Sequence, residues 1–236
     1  MVRALTAAAL MVAVAACGGP VPHSASPVLS PPHTTTPSTT PTPSASTVPD
    51  NETVSLVASG FGAYDLEVFP VSILHSLAAA HTATGVIVRF TVQIPGGSYA
   101  LSAEPVALAP GETLAVTAQC TDSCDGATGV DAAVTVGGWA PGGPVVIAGS
   151  AGSYACGSPC AGSPGYEGDV SGTLSGGVPD GTLINVSAAC MDVAGTIVGG
   201  GLMQSFWSGG STASVTVPVL VTTPPASCQL YATEVS

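Results

Sequence analysis

From Asn51 onward the chain is cut into short apolar runs by Gly, Pro, Asp and Ser. No window of about twelve residues keeps the 3.6-residue period of an amphipathic helix. The 236 residues include 30 Gly and 21 Pro. Both disfavour a helix interior, Gly through backbone entropy and Pro through its missing N–H. Such a chain can still form antiparallel sheet, with short strands joined by tight turns. Residues 77–83 are the one stretch suited to a short turn of helix.

The clearest strand is predicted over residues 86–94. Val86, Val88, Phe90, Val92 and Ile94 share one face, and Ile87, Arg89, Thr91 and Gln93 the other. A turn at Pro95-Gly96-Gly97 leads to a partner strand over 99–108. A second turn, Pro110-Gly111-Glu112, precedes a strand over 113–119, and 130–136 alternates again. The second half repeats the scheme. Residues 183–190 match 86–93 with weaker alternation, the turn at Asp192–Gly195 matches Pro95–Gly97, and 196–203 is the partner strand. Ser208–Ser211 stands for the second turn, 213–219 for the next strand, and 227–232 for the last. Regular strands with turn signals between them predict two small antiparallel β-sandwiches, residues 51–140 and 141–236.

The run from Val186 to Gly199, the later Gly turn, the alternating strand and the closing Ser227-Cys-Gln-Leu-Tyr231 resemble the FxLYD-type immunoglobulin-like modules of bacterial surface lipoproteins. Asp192 and Gly195 fit that family's Asp-x-x-Gly turn, and Pro110-Gly111-Glu112 its later turn. Of the defining Phe-x-Leu-Tyr-Asp the chain keeps Asp192 alone. The resemblance implies tandem immunoglobulin-like folds and no catalytic site.

The N-terminus reads as an address. Arg3 precedes an apolar stretch over 4–16, shorter than the ~20 residues of a membrane span. It ends in Val14-Ala15-Ala16-Cys17, similar to a bacterial lipobox. That similarity implies a signal peptide over 1–16, removed by cleavage before Cys17, with lipidation of the Cys17 thiol and fatty acylation (palmitate) of the new amine. Residues 17–50 then carry the lipidated cysteine and a stalk rich in Pro, Ser and Thr. Such a segment has too few apolar groups to offset the entropy of ordering it, so it is expected to be disordered.

The sequence contains seven cysteines. With Cys17 lipidated, six are left to pair in an oxidising compartment. Cys190–Cys228 is the first expectation, since both lie on strands of the second half and the first half has Gln93 and Asp131 at the matching positions. Cys120–Cys124 and Cys156–Cys160 would close local loops, with crossed pairing between the doublets as the alternative. Four thiolates on zinc is the other reading of the doublets, and export favours oxidation over it.

Charge excludes whole classes of function. Two Lys or Arg stand against 14 Asp or Glu, a net charge of −12. Two basic residues are too few to neutralise phosphates, so no nucleic-acid partner is expected, nor adhesion to an anionic bilayer through a basic patch. No nucleophile elbow, P-loop, dinucleotide fingerprint or zinc-protease helix motif is present. Outside the stalk His75 and His81 are the only histidines, the residue type whose unperturbed pKa suits acid–base work, with Asp65 or Ser72 as conceivable triad partners. Asp122, Asp125 and Asp131 gather near Cys120, but their spacing is not that of an EF-hand loop. Phe206 and Trp207 are adjacent on a strand, so one is expected in the core and the other exposed.

The sequence therefore predicts an all-β, membrane-anchored lipoprotein on the extracytoplasmic face of the cell membrane. It would be a non-catalytic binding or structural module with no cofactor and no metal. Its partners would be the membrane, through the lipid, and another envelope protein. The alternative is an envelope hydrolase or enzyme accessory subunit using His75 and His81. Nothing in the sequence sets an oligomeric state.

Overall fold

Val86, Val88, Phe90 and Val92 are fully buried along one face of a 14-residue strand. In the computed structural model, which describes residues 52–121, 123–157 and 165–235, the first half contributes β1 (Val54–Tyr64), β2 (Glu67–Ser76), β3 (His81–Ile94), β4 (Gly97–Ser102), β5 (Val106–Leu108), β6 (Thr113–Thr117), β7 (Cys120–Thr121), β8 (Gly129–Thr135) and β9 (Gly138–Pro141). The second contributes β10 (Ala148–Gly149), β11 (Ala151–Cys156), β12 (Tyr166–Ser175), β13 (Leu183–Met191), β14 (Ile197–Phe206), β15 (Thr212–Val221) and β16 (Ser227–Glu234). The protein is all-β, with no helix among the described residues. The expected helical turn over 77–83 is instead a bend leading into β3, whose pairing with β9 begins at His81.

In the first half β2 pairs with β1 on one edge and with β6 and β7 on the other. The long β3 pairs with β4 and β8 along its C-terminal part and with β5 and β9 along its N-terminal part. The strand expected over 99–108 is therefore two, β4 and β5. Pro105 separates them and offers no N–H to continue a ladder. Leu74, Leu114 and Val116 of one sheet meet Val86, Val88 and Phe90 of the other in one buried cluster. Each such side chain contributes ~1.5–3 kcal/mol through burial.

In the second half the order β12-β11-β16-β13-β14-β15 returns to β12, forming a closed six-stranded barrel. The β12–β15 ladder runs from Tyr166↔Val221 to Ser175↔Thr212. The interior holds Val170, Leu174, Ile184, Val186, Val219 and Leu230. The sequence pattern draws two facing sheets here; the structure joins them at two seams. One seam pairs Ala151 with Gln229 and Gly152 with Cys228, and the other pairs Gly199 with Val221 and Gly200 with Leu220. Glycine is required at the seams: a Cβ on Gly199 would press into the Leu220 carbonyl, and one on Gly152 into the Val170 side chain.

The pairing pattern repeats between the halves. β1–β2, β2–β6, β3–β4 and β3–β8 correspond to β11–β12, β12–β15, β13–β14 and β13–β16, all antiparallel.

The described residues all belong to one compact unit. A further cluster joins Val71, Ile73 and Ala115 of the β2–β6 sheet to Ala189 and Ile197 of the barrel wall. That sheet is consequently covered on both faces, and Leu114, Ala115, Val116 and Thr117 are each at most 4% exposed. β1 fits against the barrel through glycines, Gly60 at the Ile197 carbonyl and Gly62 at the Leu220 carbonyl.

Candidate functional site

Cys17, the signal peptide expected over 1–16 and the stalk expected up to residue 50 lie outside the described residues. Cys190 and Cys228 are directly opposed in the β13–β16 ladder and form a disulfide. Their Cα atoms are 4.1 Å apart. This is shorter than the ~5.5–6 Å typical of disulfides, because opposed residues in a non-hydrogen-bonded antiparallel pair approach to ~4.5 Å. Cys120 and Cys124 are also bonded, with Cα atoms 5.9 Å apart, under β7. Cys156 ends β11 and is disulfide-bonded; Cys160, its expected partner, lies outside the described residues. Gln93 and Asp131, expected at the positions matching Cys190 and Cys228, are not opposed: the β3–β8 register pairs Gln93 with Gly129 and Asp131 with Thr91, and Gln93 Nε2 donates to Asp131 Oδ2 on the diagonal at 3.0 Å.

The structure gives the two histidines separate partners. His75, on β2, has Nδ1 2.9 Å from Thr113 Oγ1 on the adjacent β6. His81, at the start of β3, has Nδ1 2.8 Å from Glu52 Oε1, and its backbone N–H donates to the same oxygen at 3.3 Å. The Glu52 side chain is only 6% exposed. Neither ring meets Asp65 or Ser72. Asp65 sits in the β1–β2 turn at φ 53°, a left-handed conformation that Asp tolerates. Ser72 is fully buried, and its hydroxyl has no hydrogen-bond partner among the described residues. Asp122 is outside the described residues, and among those described no three His, Cys, Asp or Glu gather as a metal site.

A cleft opens where the two halves meet. Its outer part, about 300 Å³, is lined by Glu104, Pro105, Asn185, Glu234 and Val235. An inner recess of about 20 Å³ shares Glu104 and Asn185, adds Thr117, Ser187 and Thr233, and is otherwise walled by apolar residues of β5, β6 and β14. Thr117, Ser187 and Thr233 are 4%, 5% and 7% exposed. Thr117 Oγ1 and Asn185 Oδ1 are buried with no hydrogen-bond partner. An unpaired buried polar atom costs ~1–3 kcal/mol, so two at one recess need a reason. Sequence reasoning passes over this site. Thr117 falls within the strand read over 113–119 and Asn185 within that read over 183–190, and only the docking of β6 on β13 brings them together. The available signal was a carboxamide interrupting the apolar run Leu183-Ile184-Asn185-Val186.

A second concavity, about 390 Å³, flanks the β1–β2 turn and carries Asp65, Glu67 and Glu167 beside Tyr64 and Leu220. None of its lining atoms is a buried polar group without a partner. Phe206 is 69% exposed, whereas Trp207 is 1% exposed and its indole N–H donates to the Gly210 carbonyl at 3.2 Å. Comparison with known protein families, with curated proteins and with solved structures finds no match.

Proposed function

We propose that the chain is a bacterial lipoprotein held by Cys17 to the extracytoplasmic face of the cell membrane, carrying an all-β body that binds another envelope component without catalysis. One observation carries the reading: Val14-Ala15-Ala16-Cys17 stands directly before a Pro/Ser/Thr-rich segment that ends where the β-rich sequence begins. Several buried acyl chains, each CH2 contributing ~0.8 kcal/mol, hold a protein to a bilayer where one chain does not. Kinship with FxLYD-type modules belongs to the same proposal. Its support is the turn at Asp192, where Oδ1 accepts from the N–H groups of Ala194 and Thr196 and Gly195 takes φ +80°.

The non-catalytic part rests on the separate partners of His75 and His81. General acid–base work needs a titrating group within hydrogen-bond reach of its substrate and aligned with the other reacting groups. The test is metabolic labelling with a fatty-acid probe. The expected result is a tagged, membrane-retained protein whose tag and retention both vanish in Cys17→Ala; label persisting in that variant overturns the anchor. The double variant His75→Ala, His81→Ala is expected to leave partner capture unchanged. Turnover of a peptidoglycan, ester or peptide substrate that disappears in it would promote the hydrolase alternative.

A further inference from the structure

We infer that the cleft between the two halves recognises a primary alkylammonium group. The inference deepens the binding reading above, but it stands on the cleft and not on the lipid anchor. The recess is the size of one water molecule, about 20 Å³. An –NH3+ head is of similar size and brings three donors and no acceptor. The recess offers what such a head needs. Asn185 Oδ1 and Thr117 Oγ1 are both buried and both without a partner. A carboxamide oxygen can only accept, so its orphan state is relieved only by a donor.

Charge is met at the mouth. Glu104 and Glu234 border the outer cleft, and Pro105 and Val235 supply apolar surface for an alkyl stem. Among the described residues no Lys or Arg stands at the place: the sequence contains no Lys, and Arg89 is exposed on β3, paired across from Ala133 and Ser102. A net charge of −12 also favours the approach of cations from solution. A guanidinium is planar and larger than the recess, and a quaternary ammonium has no N–H to donate. The pocket therefore separates three kinds of cation by size and hydrogen bonding.

Titration of the 15N-labelled full chain with n-butylamine, N-methylguanidinium and tetramethylammonium tests this. The expected result is a saturable shift of the Asn185 side-chain amide with n-butylamine, and affinities at least tenfold weaker for the other two. Glu104→Gln with Glu234→Gln, and separately Thr117→Val, should each weaken n-butylamine binding about tenfold. Thr117→Val should do so without loss of melting temperature, because it removes an unpaired buried hydroxyl. A lysine-containing peptide that binds more tightly than n-butylamine, and loses this on Nε-acetylation, marks a protein as the source of the ammonium. n-Butylamine binding as tightly as the peptide marks a free amine. Three outcomes overturn the inference: no saturable shift, equal response to all three cations, or variants that bind as the parent does. The last two leave only a water in the recess and non-specific attraction to carboxylates. Fatty-acid labelling reports on the anchor independently, so failure here is distinguishable from failure of the lipoprotein reading.

Discussion

Strands β3, β4 and β8 of the first half pair in the same antiparallel order as β13, β14 and β16 of the second, yet only the second set lies in a closed ring. The difference is local chemistry at the seams. Gly152, Gly199 and Gly200 let strands from facing sheets come close enough to pair. A disulfide, Cys190–Cys228, then staples two barrel strands from inside the core. The first half has no such opposed pair in its β3–β8 ladder, where Gln93 and Asp131 are joined only by an exposed diagonal hydrogen bond, and its sheets stay separate. One pairing pattern thus has two outcomes, decided by a few small residues where the sheet edges meet.

The largest effect expected from breaking this comparison is on the staple. A disulfide closing a sequence separation of 38 contributes ~4 kcal/mol on the chain-entropy view. Cys190→Ala with Cys228→Ala should lower the urea midpoint by a corresponding amount. Because the halves share the Val71–Ile197 cluster, the loss should appear in one transition. Two separated calorimetric peaks would show instead that the halves unfold independently.

The seam comes next. Gly199→Ala places a Cβ against backbone, which cannot swing aside, so a cost of ~1–3 kcal/mol is expected. Gly97→Ala, at the matching end of the first half, meets nothing within 4 Å and should be close to neutral. Equal losses in both would mean that closure does not depend on the seam. Smaller again is Gln93→Ala, expected at ~0.5 kcal/mol or less by chemical denaturation, since the bond is exposed. A loss rivalling that of the disulfide would dissolve the contrast.

The smallest effect is pH-dependent. Burial pushes the Glu112 carboxyl above its ordinary value, against the opposing pull of the Ala109 N–H that donates to it at 2.7 Å. A raised carboxyl favours the protonated folded form, so its contribution is present below the ordinary carboxylate range and lost as pH rises through the shifted value. Glu112→Gln should gain stability relative to the parent, measured by urea denaturation, as pH rises from about 4 to 7, by less than ~1 kcal/mol. A constant difference across that range would show that burial at this turn carries no charge penalty.

Much of the fold is legible along the chain because turn chemistry and alternation are local. The face Val86, Val88, Phe90, Val92 is buried as its period predicts. Gly96, Gly111 and Gly195 take positive φ at turns read from sequence. Of Phe206 and Trp207 one is core and one exposed, as expected, although β14 ends at Phe206 and packing beyond the strand end selected Trp207. The strands at 54–76 and 151–175 escape notice because Gly, Ser and Pro dilute their β-rich character. β13 alternates weakly for another reason. Ile184, Val186, Ala188 and Cys190 face the barrel core while Ala189 packs on the neighbouring sheet, so both faces are covered.

Taken alone, the sequence determines an all-β chain, the position of its turns, its acidity and the Cys17 motif, since each depends on neighbouring residues or on composition. The tertiary structure decides barrel closure, the double-sided burial of β2 and β6, and the cleft around Thr117 and Asn185. A period of two records that one face of a strand is covered, but not what covers it. Two strands meeting across 68 residues leave no local pattern in either.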